Sequence, residues 1–250
     1  MHLWQVRRHW DALAKTDPFF AVLTEDSKSG NKWAVDEFFS TGVAEVDRDF
    51  EQIREAGNGT RFQNALDFGS GAGRLTQALA RHCENVVGLD ISPEMVALAA
   101  GHCANPRVRF IANPGSDLRI FPDGAFDLVY SRITLQHIAP RHTQAYLAEF
   151  VRVLSSGGLL SVQIPESVPS GDPPDRLRFS IWPPTMWMRI KRHLKYHFPG
   201  WFPGTPKMQM YAIPQKDVTA SISAAGAQVL SVELRQQAEV RNLVYLARKL

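Results

Sequence analysis

The chain has little cysteine: two residues among 250, Cys83 and Cys103. They form no C-x-x-C pair and have no histidine at zinc-ligand spacing, so neither a thiolate metal site nor a disulfide framework is expected. Both fall in stretches that read as helix, where a buried free thiol is the ordinary outcome, and a reducing, cytoplasmic setting fits. Long hydrophobic runs are missing as well. No apolar stretch approaches the roughly 18 residues of a membrane span, and the opening M-H-L-W-Q-V-R-R-H-W has no apolar segment of a secretory leader. A charge surplus is absent too. Lys and Arg number 28 against 25 Asp and Glu, a formal net charge of +3, too small to mark a nucleic-acid partner. Hydrophobic residues at 44% are ample for a core, and the length suits one α/β domain with an elaboration.

Residues 1–61 lack strand patterning. Trp4, Trp10, Leu13, Phe19, Phe20, Trp33, Phe38, Phe39 and Val43 are spread through two helix-like stretches broken at Asp17-Pro18 and Ser29-Gly30-Asn31. From residue 63 short apolar runs alternate with helical ones. Strands are expected at Asn64–Phe68, Asn85–Leu89, Arg107–Ala112, Phe126–Ser131 and Gly158–Ile164. Helices are expected at Gly73–His82, Pro93–Cys103 and Arg141–Leu154. This rhythm predicts a parallel sheet covered by helices on both faces, with ligands at the carboxyl ends of its strands. Prolines crowd residues 165–212, and the pattern resumes with a helix at Gln215–Ala225 and a hairpin of Gln228–Leu234 and Val240–Ala247.

The chemistry-bearing stretch is L-D-F-G-S-G-A-G-R, residues 66–74. Glycine permits tight turns and close approach of backbone to a ligand. Gly69, Gly71 and Gly73 give G-x-G-x-G, and Arg74 stands where the third glycine of a dinucleotide fingerprint belongs. No P-loop lysine follows, so a phosphate is the poorer fit. The second strand ends in Asp90, 23 residues after Asp67, where an acid can accept both hydroxyls of a ribose. Ser92 and Pro93 then open a helix as N-cap and first helical residue.

Together with F-D-L-V-Y-S and F-V-R-V-L-S-S-G-G-L-L, these motifs resemble the successive motifs of class I S-adenosylmethionine-dependent methyltransferases. The resemblance covers residues 63–164 by motif and 214–250 by topology. It implies a Rossmann-like α/β fold, a seven-stranded sheet of order 3-2-1-4-5-7-6 with strand 7 antiparallel. A helical N-terminal extension (1–61) would cover the methyltransferase domain (62–250) as a lid, with Gly30–Trp33 as a contact point. An insert (165–212) between strands 5 and 6 would shape the acceptor site. The resemblance implies S-adenosylmethionine as cofactor and no metal. Asp67 would orient the loop and meet the amino group, with Phe68, Gly69, Gly71 and Gly73 close to the methionine part. Asp90 would hold the ribose and Ile91 would pack on adenine. Family members often carry an aspartate after the third strand; this chain has Asn113, Pro114, Gly115 and Ser116 there, so Asn113 or the backbone near Gly115 would meet the adenine edge. Ser131 would stand beside the reacting methyl.

Methyl transfer from a sulfonium needs alignment more than acid–base chemistry. His137, in L-Q-H-I after the fourth strand, is either a base or substrate contact, or a histidine packed under its loop. The absence of Asn-Pro-Pro-Tyr or Asp-Pro-Pro-Tyr after that strand argues against methylation of DNA adenine or glutamine. A small-molecule acceptor follows, with an oxygen on a sugar, lipid-linked glycan or secondary metabolite favoured; a cofactor-binding module without catalysis is the alternative. Residues 185–198 place Met186, Ile190, Leu194 and Phe198 on one face and Arg189, Lys191, Arg192 and Lys195 elsewhere. Such a basic amphipathic helix suits a substrate lid, peripheral contact with an anionic membrane, or an acidic acceptor.

Overall fold

The computed structural model describes residues 2–57, 61–168, 209–237 and 240–250. The basic amphipathic segment 185–198 lies outside the described residues. The chain opens with helices α1 (Leu3–Ala14), α2 (Pro18–Val22) and α3 (Val35–Ala56), with a 3₁₀ turn at Asp26–Lys28. Then follow β1 (Phe62–Phe68), α4 (Arg74–Leu79), β2 (Cys83–Asp90), α5 (Pro93–Gly101), β3 (Val108–Ala112), β4 (Phe126–Ser131), α6 (Pro140–Val153) and β5 (Leu154–Ser167). The described chain resumes with α7 (Gln215–Ala224) and closes with β6 (Ala227–Gln237) and β7 (Val240–Lys249).

The seven strands form one sheet in the order β3-β2-β1-β4-β5-β7-β6. The first five are parallel neighbours, and β7 runs antiparallel between β5 and β6. The apolar runs of β1 and β4 are buried on both faces, as parallel strands between helices must be. One face carries α3 and α4, with Val46, Phe50, Ile53, Leu75 and Leu79 buried against Leu128 and Tyr130. The other carries α6 and α7, with Leu147, Phe150, Val218 and Ile222 against Leu66, Val129 and Leu160.

Element boundaries differ from expectation where packing overrides local pattern. Cys83 is not helical. It opens β2 because the register pairs it with Phe62, and α4 has already ended at Leu79. Its thiol is buried and pushed up to about 12 by desolvation. Cys103 follows the end of α5 rather than lying within it. The fifth strand runs on through Pro165 to Ser167, so that residue belongs to the sheet and not to the insert. Pairing with β4 ends at Val162; beyond it the Pro165 carbonyl accepts from the Ile213 amide, and the missing proline N–H breaks no ladder bond with β4.

The N-terminal helices are bound to the sheet domain by close contacts. Gly42 of α3 lies against the start of α4, where an added Cβ would stand 2.4 Å from the Arg74 carbonyl oxygen. Arg74, buried, donates to Glu45 at 2.7 Å. Gly42→Ala is therefore expected to destabilise the fold by roughly 1–3 kcal/mol, as overpacking against backbone does. A denaturant titration with unchanged slope and a lower midpoint would record it; an unchanged midpoint would mean that α3 is not seated this way.

Candidate active site

The glycine loop follows β1 at the carboxyl edge of the sheet. Gly69, Gly71 and Gly73 have φ of +81°, +51° and +84°, a conformation glycine adopts without cost. The Gly69 and Ser70 amides donate to the Leu89 carbonyl, which ties the loop to the end of β2. Each glycine also stands where a side chain would collide. A Cβ at Gly69 would lie 2.1 Å from Thr134 Oγ1, at Gly71 2.9 Å from Val22 and at Gly73 2.8 Å from Phe110. The Ser70 hydroxyl is buried in this loop without a hydrogen-bond partner, an unfilled polar position on the cavity wall.

Asp90 closes the second strand. Its carboxylate accepts from the Gly71 amide at 2.8 Å and the Ser92 amide at 2.9 Å. Burial still pushes its pKa up to about 6. Asp67, 1% exposed, accepts from Thr76 Oγ1 at 2.6 Å. Burial raises its pKa to about 7, opposed by the Thr76 bond and the Arg74 charge. A buried carboxylate behind the loop, Asp67, and a half-buried one beside it, Asp90, make this corner of the molecule a place that favours a cation.

One cavity gathers most of the expected residues. Phe68, Gly69, Gly71, Asp90, Ile91, Asn113 and His137 all line it. Asp67, Gly73, Gly115 and Ser131 stand behind it. Gly73 packs on Ala99 and Phe110, Gly115 accepts from the Tyr146 hydroxyl, and Ser131 Oγ donates to the Phe68 carbonyl at 2.8 Å. Asn113 is tied up by its own loop: its carbonyl oxygen accepts from Gly115 N and its amide donates to the Asp117 carbonyl. Its side chain therefore shapes the loop.

His137 lines the cavity but both ring nitrogens are engaged. Nδ1 meets the Gln209 carbonyl at 3.2 Å, so it carries the proton, and Nε2 accepts from the Gln136 amide at 3.1 Å. Burial depresses its pKa to about 4. A histidine so held is neutral at pH 7, and both its ring nitrogens have partners within the chain. It instead fastens residues 209–213, whose Tyr211 amide also donates to the Gln136 carbonyl.

Local sequence did not reveal the cavity's other wall. Leu3, Val6 and Trp10 of α1, with Val22, cover the cleft. Asp11 accepts from the Ser92 hydroxyl at 2.6 Å, Lys15 pairs with Glu94 at 2.9 Å, and Trp10 sits edge-on to His137 with ring centroids 5.6 Å apart. Gly30 and Asn31 stay away from the cavity; their amides donate to Asp17, and Trp33 packs with Phe38. Arg132, Ile133 and Thr134 complete the floor. The cavity volume is about 80 Å³, under the roughly 300–1,000 Å³ of ligand-sized pockets. Among the described residues no cluster of His, Cys, Asp or Glu is placed to hold a metal ion, and no helix is long and apolar enough to cross a membrane.

Comparison with known proteins agrees with this arrangement. Residues 66–162 match the family model of a methyltransferase domain. A demethylmenaquinone methyltransferase of Tropheryma whipplei is 34% identical over 103 residues, 41% of this chain and 42% of that protein. The chain spans less than half the length of the curated relatives it matches first. The crystal structure of magnesium protoporphyrin IX methyltransferase from Synechocystis with bound S-adenosylhomocysteine superposes with a TM-score of 0.62 at 17% identity, over 98% of each chain. That of the [4+2]-cyclase SpnF gives 0.62 at 17%, over 100% of this chain and 97% of that one. At such identities the likeness is one of fold. The matched motifs, the strand order and the glycine loop beside Asp90 converge: residues 66–162 match a methyltransferase domain, set in a sheet with the fold of S-adenosylmethionine-dependent methyltransferases.

Proposed function

We propose that the protein transfers a methyl group from S-adenosylmethionine to a small-molecule acceptor, in the cytoplasm. The observation that carries this reading is the juxtaposition of the glycine loop, its unpartnered Ser70 hydroxyl, the buried Asp67 and the half-buried Asp90 at one strand edge. When bound, the cofactor supplies a methyl group activated on a cationic sulfur. The chain's part is to hold, orient and exclude water. Gly69 and Gly71 let backbone approach the methionine part, Asp90 accepts from the ribose hydroxyls and Ile91 covers the adenine. Asp67 acts from behind the loop as a negative charge facing the amino group. The N-terminal helices form the lid; the insert expected to shape the acceptor site lies mostly outside the described residues.

A cationic ligand favours the ionised form of Asp67, which burial disfavours, and this gives a pH signature. In the cofactor-free protein the raised pKa means that stability contributed by neutral Asp67 is complete below about pH 4, the ordinary carboxyl range, and is lost as pH rises through about 7. Bound cofactor offsets that loss. The rise in Tm on adding S-adenosylmethionine is therefore expected to be larger at pH 7.5 than at pH 5.5, and Asp67→Asn should flatten the difference. Equal rises in wild type would remove Asp67 from cofactor binding.

No free base lines the described cavity. We infer an acceptor oxygen on a sugar, lipid-linked glycan or secondary metabolite, held in line with the sulfonium by positioning. On this reading His137 is a positioning residue for segment 209–213, not a proton acceptor. The acceptor class is tested by incubating protein and methyl-labelled S-adenosylmethionine with an extract of the host cell. Label in the aqueous small-molecule fraction is the expected result. Label in the lipid fraction would move the acceptor to a membrane-borne molecule, and label in protein or nucleic acid would contradict the proposal. A second reading, cofactor binding without methyl transfer, is kept open by the fold's occurrence in a [4+2]-cyclase; it predicts binding with no labelled product in any fraction.

A further inference from the structure

Ile133 has a φ of +59°. Among the described residues only Asn31 shares this left-handed conformation without being glycine, and asparagine tolerates it. For a β-branched side chain it is strained, and such strain persists only where neighbours impose it and tends to mark functional sites. Ile133 lines the cofactor cavity, two residues beyond the end of β4, where Ser131 bonds the Phe68 carbonyl just before the glycine loop.

The neighbours that impose it are on the page. The Arg132 guanidinium, 1% exposed, donates from Nη1 to the Ser131 carbonyl at 3.0 Å and the Ser161 carbonyl at 2.9 Å, and from Nη2 to Ser161 Oγ at 2.8 Å. Its Nε donates to Asp49 Oδ2 at 3.0 Å, and its plane lies 4.1 Å from the Tyr130 ring centre. Asp49, also 1% exposed, is held in turn by the Tyr130 hydroxyl at 2.6 Å and Arg235 at 2.6 Å. On the far side Thr134 Oγ1 donates to the Arg132 carbonyl at 3.0 Å, and lies 3.3 Å from the Gly69 carbonyl. The residues on either side of Ile133 are thus fixed, Arg132 to the sheet core and Thr134 to the glycine loop.

Resting on the S-adenosylmethionine reading, we propose that Ile133 is a specificity residue for the methyl-bearing sulfonium, and that Arg132 with Asp49 are the positioning residues that hold it against that group. Ile133 supplies the apolar wall on which the methyl seats. S-adenosylhomocysteine, which lacks the methyl, gains nothing from that wall. Asp49 lies on α3, so the helical extension takes part in cofactor discrimination as well as in packing.

The test needs no acceptor. Affinities for S-adenosylmethionine and S-adenosylhomocysteine are measured by calorimetry for wild type, Ile133→Gly, Arg132→Lys and Ile222→Ala, the last a core change under α7 away from the cavity. Glycine takes the +59° backbone without cost, so Ile133→Gly should keep the wild-type Tm or exceed it, while the ratio of the two affinities shifts at least fivefold towards S-adenosylhomocysteine. Arg132→Lys keeps the charge but loses the fork; it should lower both Tm and the ratio. Ile222→Ala should lower Tm and leave the ratio alone. An unchanged ratio in Ile133→Gly overturns the proposal, even if Arg132→Lys does not fold. A ratio that moves equally in Ile222→Ala reduces the cluster to a structural one and overturns it as well. Wild type that binds neither compound is a separate outcome, which defeats the cofactor reading itself.

Discussion

Asp90→Ala is expected to weaken S-adenosylmethionine binding by about 100-fold or more while leaving the cofactor-free protein nearly as stable as wild type. The first half follows from what the carboxylate does. Two ribose hydroxyls donating to a charged acceptor are each worth about 1.5–3 kcal/mol, and each 1.4 kcal/mol is about tenfold in affinity. The same carboxylate holds the Gly71 and Ser92 amides, so its loss also loosens the loop that receives the methionine part. The second half follows from the cost of the site. Burial pushes the Asp90 pKa up to about 6, so the ionised side chain is an expense to the empty fold. Removing it relieves that expense as it removes the two amide bonds. Calorimetry with thermal unfolding separates the two effects. A large drop in Tm with affinity preserved would show that Asp90 is structural.

Asp49→Ala should have the opposite profile, a large loss of stability. Asp49 is the shared acceptor of Tyr130, Arg132 and Arg235. The two arginine charges overcome the burial that would raise its pKa and hold it below the ordinary carboxyl range. Alanine would leave the Arg132 guanidinium buried with no counterion, and breaking a buried pair from one side costs about 3–5 kcal/mol. Against a total of about 5–15 kcal/mol for a typical protein, that is a drop in Tm on the order of 6–20 °C at this chain length. Replacing Asp49 and Arg132 together by apolar residues of similar size should recover much of it, because the cost lies in the unpaired charge. A double variant as unstable as the sum of the singles would contradict this account.

How far the sequence reaches is set by whether a feature is local. The glycine loop and Asp90 were legible because turn chemistry fixes residue type within a few positions: three glycines with positive φ, an acid at a strand end, a serine and proline opening the next helix. Sheet order and strand 7 direction came through the resemblance, and the hairpin was visible in the pattern itself. The lid contacts were not legible. Trp10 read only as one aromatic of a helix-like stretch in the expected lid, and docking of α1 through Asp11 and Lys15 onto α5 brings it, with Leu3 and Val6, over the cleft. Ile133 was hidden for a different reason. Isoleucine after a strand reads as strand continuation, and its strain is imposed by Arg132, whose partners come from α3 and β5. His137 was placed correctly at the cavity but its chemistry was not readable, since residues 209 and 136 supply the partners that occupy both nitrogens. Cys83 was assigned to a helix because register with Phe62, a long-range pairing, decides where β2 begins.

The central claim, methyl transfer at the cleft between the glycine loop and Asp90, is tested most directly by mass spectrometry of a host-cell small-molecule extract treated with trideuteromethyl S-adenosylmethionine. Wild-type protein and Asp90→Ala are compared side by side at a cofactor concentration that saturates wild type. The account predicts a deuterated product that requires wild-type protein and falls by two orders of magnitude with the variant. Equal product with both proteins would place the chemistry elsewhere, and no product despite saturating cofactor would favour binding without transfer.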